Sequence, residues 1–388
     1  MLLDDWIASH NSDIFVREFT YSKTQFKGQD GQERELCDGA VWIGDLLILI
    51  QNKQRDPGAV TGDTDAEIRW FNKKVSKLAV DQLRDSCQFL QEEQSLPFAN
   101  MRGQTLDLTK TKEQVSLTHL VVIYSPSTIL PATETMKKGR VSQRVGFVHF
   151  FTVNDYFCVC KILHTPFEVS DYLSFRKAVT LYDPNANAIS EKALLGQFLM
   201  DPDPSRLVSP NNEEYVDRLV RDADKFSLSN MLAVYLDRVT FGSGGTDYHA
   251  ILVELAKLRR NIAKEFRKRL EWAMEVCKGT VNLAPSRFYF PNLGCSYIFI
   301  PLDASRRDTW EEELKSLACL SKHAFRSRKC IGLTIAPDPD DNEFYLINWF
   351  YLECPWEPDD WADELIRKYN PFRESSVVMT PEYRFEQR

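Results

Sequence analysis

ELCDGAVWIGDLLILIQNKQRD, residues 35–56, is the stretch whose reading decides the fold of this chain. Two strongly apolar runs flank Gly44-Asp45, a glycine-containing pair suited to a tight hairpin turn. Glu35 and Asp38 stand at one end of the hairpin, and Gln51, Lys53 and Arg55 stand at the other. A register symmetric about the turn sets Ala40 opposite Leu49, Trp42 opposite Leu47 and Asp38 opposite Gln51. Opposed residues point to the same side of the sheet. Lys53, two positions beyond Gln51, shares that side because strand side chains alternate. Glu35 has the opposite parity to Asp38, so in a regular strand it points away, and only a bulge brings it round.

Outward from the hairpin, EIRWFNKKVSKLAVDQLRDSCQFLQEE (residues 67–93) carries apolar residues at helical spacing with lysines and arginines between them. Strand-like runs follow at 117–124 and 144–153, and a short helix over 2–14 precedes the hairpin. The pattern predicts an α/β domain over residues 1–165, a mixed sheet flanked by helices. Residues 166–248 read as a helical and irregular connecting region. Residues 249–388, opening on a single long amphipathic helix over 249–278, read as a C-terminal α+β domain.

Asp38, Gln51 and Lys53 therefore meet at one corner beyond an apolar wall. Carboxylate and amide oxygens suit a hard divalent cation. A lysine beside them can orient water or offset charge developing on a phosphate. An acid on one strand, followed by a (D/E/Q)-x-K triplet ending the next, resembles the PD-(D/E)xK nucleases. The triplet Gln51-Asn52-Lys53 is similar to the QxK version of the Mrr-like and NERD-like branches. The resemblance covers about residues 1–165. It implies a restriction-endonuclease-like core, Mg²⁺ or Mn²⁺ as cofactor, DNA as substrate, and a setting in defence against phage. It makes Asp38, Gln51 and the Asn52 carbonyl the metal ligands, with Asp38, Gln51 and Lys53 the catalytic set. Glu18, Glu35 and Gln82 are the accessory candidates, Gln82 by its place on the helix after the triplet. Gln51 stands where most members carry an acid. The alternative expectation is a non-catalytic module, binding nucleic acid or protein, on a degraded nuclease fold.

Net charge is −8 (48 Lys and Arg, 56 Asp and Glu), which excludes a protein that coats nucleic acid by bulk charge. Local basic groups are the expected phosphate contacts: Arg55, Lys73, Lys74 and Lys77 near the hairpin, and Arg260, Lys264 and Arg267 on the long helix. The nine cysteines are scattered without a CxxC pair, and the six histidines lack metal-ligand spacing. His149 lies within an apolar strand and reads as a core residue. No window suits a membrane span, and an early acidic N-terminus does not suit a signal peptide, so a cytoplasmic protein is expected. The C-terminal region is expected to recognise a DNA feature, a trigger or partner protein, or a second copy of the chain.

Overall fold

A computed structural model of the chain describes residues 3–163, 165–206, 208–221, 245–279, 284–341 and 344–373. These residues fall into two compact units, 3–221 and 245–373.

The first unit is built on a six-stranded mixed sheet. In chain order its strands are β1 (Thr20–Tyr21), a separate small hairpin of β2 (Gln25–Lys27) and β3 (Glu33–Glu35), then β4 (Gly39–Ile43) and β5 (Leu46–Gln54). A second small hairpin, β6 (Pro97–Ala99) and β7 (Thr105–Asp107), is followed by β8 (Leu117–Ser125), β9 (Gly139–Ser142) and β10 (Gly146–Thr152). The main sheet runs β1-β4-β5-β8-β10-β9. Strands β5, β8 and β10 are parallel, and the others pair antiparallel. The expected hairpin register is present, with Ala40 opposite Leu49 and Trp42 opposite Leu47. Gly44 adopts a left-handed φ of 59°, the conformation a two-residue turn needs at its first central position.

Parity then sorts the side chains. Ala40, Leu47, Leu49, Leu120, Val122, Tyr124, Val148 and Phe150 form one face of the core. A single long helix covers it: α2 (Thr64–Trp70), a π-helix over Phe71–Ala79, and α3 (Val80–Glu92). Asp63 caps its start by accepting from the Asp65 amide. The buried residues Glu67, Phe71, Val75, Ala79 and Leu83 recur at every fourth position. An α-helix has about 3.6 residues per turn, so a strict four-residue repeat walks off one face. The wider π winding in the middle keeps the stripe on the sheet.

Helix α1 (Leu3–Ile14), the one-turn helices α4 (Thr111–Gln114) and α5 (Ala132–Thr135), and helices α6 (Val153–Ile162), α7 (Pro166–Tyr182), α8 (Glu191–Met200) and α9 (Glu213–Arg221) complete the unit. Residues 166–221 are therefore part of this unit rather than a connector. The reason is a buried polar cluster centred on Arg176 of α7. Its guanidinium donates to both Glu191 carboxylate oxygens (2.7 and 3.1 Å), to the Phe150 carbonyl of β10 (2.7 Å) and to the Lys138 carbonyl. Lys138 Nζ also reaches Glu191 at 3.2 Å, and the ring of Phe151 lies under the guanidinium. His149 is in the core, as its apolar strand implies. Burial, then the charge of Arg176 beside it, push its pKa far below the ordinary range.

The second unit is a four-stranded sheet, β11 (Ser286–Phe290), β12 (Cys295–Pro301), β13 (Lys329–Pro337) and β14 (Tyr345–Glu353), in that order. Phe266, on the helix Arg260–Val276, packs against Tyr297, Phe299 and Trp349 on one face. Leu314 and Ala318, on the helix Trp310–Phe325, join Ile298, Ile300 and Cys330 on the other. The expected single helix over 249–278 is two, His249–Ala256 and Arg260–Val276, broken at residues 257–259. Leu258 and Arg260 are both buried across the break, which turns the chain without glycine or proline. All nine cysteines are free thiols. Among the described residues no helix is long and apolar enough to cross a membrane.

Candidate functional site

The ladder between β4 and β5 ends at Gly39 opposite Ile50, and Asp38 lies one residue past it. Released from the strand, the Asp38 carboxylate accepts from the backbone amide of Asn52 at 2.6 Å. Lys53 Nζ lies 3.6 Å from the same Asp38 oxygen. It also donates to Gln51 Oε1 at 3.1 Å and to the Asn52 carbonyl at 2.8 Å. Three oxygens of three kinds (carboxylate, amide, backbone) thus converge on one ammonium group. They stand toward the carboxyl end of β5, the first of the three parallel strands, where open α/β sheets hold their ligands.

Asn52 has the opposite parity to Gln51 and Lys53, so its side chain leaves on the other face of the sheet. There its Nδ2 donates to Asp4 of α1 at 3.0 Å. The sequence reading missed Asp4, which in LDDW looks like an ordinary acid of a helical first turn. Only the packing of α1 beside β5 reveals its role.

Burial pushes the Asp38 pKa up, against the opposing pull of Lys53 and the Asn52 amide, and the charge of Asp4 adds to the rise. Glu35 is a correction. The chain between β3 and β4 is not a strand, so the parity argument that sent Glu35 away does not apply. Thr24 instead receives the Cys37 amide, and Ser86 of α3 donates to the Leu36 carbonyl, which folds the segment inward. Glu35 stands at the exposed rim, held by Gln25 at 2.9 Å. Partial burial and then the charges of Asp38 and Asp4 push its carboxyl up, so it lies within electrostatic reach of the corner. Asp38 is ion-paired with Lys53, and the negative charges of Asp4 and Asp38 act on Glu35 as that of Asp4 acts on Asp38.

The other candidates are distributed differently. Glu18 is fully buried and ion-paired with Arg102 at 3.7 Å. Gln82 lies one turn before Ser86 on α3, with its Oε1 buried and, among the described residues, without a hydrogen-bond partner. Arg55, read as a phosphate contact, is committed internally. It donates from Nε to both oxygens of the fully buried Glu67 at 3.0 Å and from Nη2 to Glu67 at 2.8 Å and the Ala59 carbonyl at 2.7 Å. Arg55→Ala should therefore act on folding, leaving Glu67 as a buried carboxylate held by Ser127 alone. A drop of several degrees in Tm is expected by differential scanning fluorimetry, and an unchanged Tm would refute this structural role.

Lys73, Lys74 and Lys77 project to solvent from the π-helix, and Arg140 of β9 joins them by donating to the Ser76 carbonyl at 3.0 Å. In the second unit Arg260 is buried, Arg267 pairs with Glu271 at 2.7 Å, and Lys264 is exposed.

Compared with protein-family models, curated proteins and solved structures, the chain matches none of them.

Proposed function

We propose that the first unit is a divalent-cation-dependent nuclease that hydrolyses phosphodiester bonds of DNA, on a restriction-endonuclease-like core. One observation carries the reading: Asp38, Gln51 and the Asn52 carbonyl already converge on a cation, the Lys53 ammonium. Among the described residues no three His, Cys, Asp or Glu side chains are grouped as metal ligands. The donor set that fits is therefore the mixed one, a carboxylate with two neutral oxygens, of the hard kind that Mg²⁺ and Mn²⁺ take together with water and phosphate. A cation held there would supply Lewis-acid polarisation of a phosphoryl oxygen.

The chain's own residues do the rest. Asp4 holds the Asn52 side chain, so the Asn52 amide and carbonyl face Asp38 and Lys53 in fixed directions. The Lys53 ammonium offsets negative charge developing on the phosphoryl oxygens and orients an attacking water. In-line displacement by water needs no covalent intermediate. The exposed Lys73, Lys74, Lys77 and Arg140 form a basic surface for the phosphate backbone. Phage defence, with a trigger or second copy bound through the second unit, is the physiology in keeping with the resemblance to PD-(D/E)xK enzymes.

Asp4→Ala should lower cleavage about tenfold or more without abolishing it, the usual cost of losing a group that orients a ligand. Equal rates for this variant and the parent in a plasmid assay would remove Asp4 from the site. A second reading has its own support. Lys53 is already held by neighbouring oxygens and Gln51 is neutral, as in a degraded nuclease fold kept for binding nucleic acid or protein. Cleavage assays across DNA, RNA, Mg²⁺ and Mn²⁺ separate the two.

A further inference from the structure

We infer that Lys53 is the resident cation of this site and that a divalent metal enters by displacing its ammonium group. The inference rests on the nuclease reading and adds a latch to it. Lys53 Nζ contacts Asn52 O at 2.8 Å, Gln51 Oε1 at 3.1 Å and Asp38 Oδ2 at 3.6 Å. These are the oxygens assigned to the metal. An ammonium has three donors, and two of them are used in hydrogen bonds to Asn52 O and Gln51 Oε1, with Asp38 at ion-pair distance beside them. A divalent ion competes with it for the three oxygens, because two cations a few ångströms apart repel in a partly buried site. The positive charge of Lys53 acts on both Asp38 and Glu35. Its head is therefore the group that balances the corner.

The lysine stem is flexible and can carry the head outward once a stronger cation arrives. That outward position is where an ammonium can meet a phosphate oxygen of a bound strand. Opening the latch and arming Lys53 for its catalytic role are then one movement. A free nuclease would stay closed until divalent cation competes with its own lysine. A latch shut nine-tenths of the time weakens apparent metal affinity about tenfold.

The test uses the full chain and does not depend on activity. Lysines are acetylated with an N-hydroxysuccinimide ester and quantified residue by residue by mass spectrometry, with and without saturating Mn²⁺. Lys53 should react slowly without metal and about tenfold faster with it, by the same population argument. The exposed Lys73 and Lys74 should be unchanged and serve as internal controls. Calorimetric Mn²⁺ titration of the parent and Asp38→Ala locates the metal, and Lys53→Met, which removes the competitor, should bind Mn²⁺ more tightly. If Mn²⁺ binding depends on Asp38 while Lys53 labelling is unchanged or slower, the latch is overturned and the metal site stands. If Mn²⁺ binds neither protein, or both equally, the latch and the nuclease reading fall together. The labelling comparison needs no variant, so a poorly folding Asp38→Ala leaves it decisive.

Discussion

Lys53→Ala is expected to reduce metal-dependent plasmid nicking by about 10²–10³-fold, the loss typical of removing one preorganised group that meets transition-state charge. Stability should change little. Lys53 and Asp38 are both partly solvent-accessible, and Asp38 keeps its bond from the Asn52 amide after the lysine is gone. Asp38→Ala should lose activity to a similar extent, since it removes a carboxylate that lies directly on the cation position. Gel-based nicking with Mg²⁺ or Mn²⁺, alongside thermal unfolding, measures both quantities. A Lys53→Ala protein that nicks as fast as its parent would remove the lysine from the chemistry. An inert parent under every metal and nucleic acid, with the fold intact, would favour the interaction module.

Glu191→Ala is expected to destabilise the first unit by about 3–5 kcal/mol, read from urea unfolding, because it strands two buried cations. Arg176 and Lys138 are nearly inaccessible to solvent, and Glu191 is their shared counter-ion. Burial alone would raise the Glu191 pKa, but Arg176 and Lys138 together pull it down to about 2. An unfolded glutamate titrates near about 4.3. The stabilisation is therefore complete above that value and drains away as pH falls toward 2. Glu191→Gln should flatten the parent's loss of stability across that window. A Glu191→Ala protein within about 1 kcal/mol of the parent would contradict the role assigned to this cluster.

The central hairpin was legible because its signals agree. Apolar runs, a turn glycine and period-two alternation admit one register, and a slip of one residue would reverse every side chain. That register places Asp38 near Gln51 and Lys53 on one side. The same rule failed for Glu35, since parity holds only while a chain remains a strand. Hydrogen bonds from Cys37 to Thr24 and from Ser86 to Leu36 bend this one out of the sheet. Arg55 looked like part of the site by proximity in sequence, yet Glu67, on the following helix, claims it. The helix break at 257–259 was silent because the buried positions on both sides fit a single helical period.

Local pattern by itself determined the mixed sheet, the hairpin register and the three residues of the triplet with their facing acid. Those properties depend on neighbours a few positions apart and on turn geometry. Asp4 behind Asn52, the Arg176–Glu191 cluster that joins residues 166–221 to the sheet, and the three oxygens closing on Lys53 came only with folding. Each depends on side chains that sequence distance separates, or on the direction a flexible side chain takes once its surroundings are packed. Parity gives the side of a sheet on which a lysine stands, whereas the oxygens that collect around it depend on the Asp38 carboxylate turning to the Asn52 amide and on Asp4 holding the Asn52 side chain.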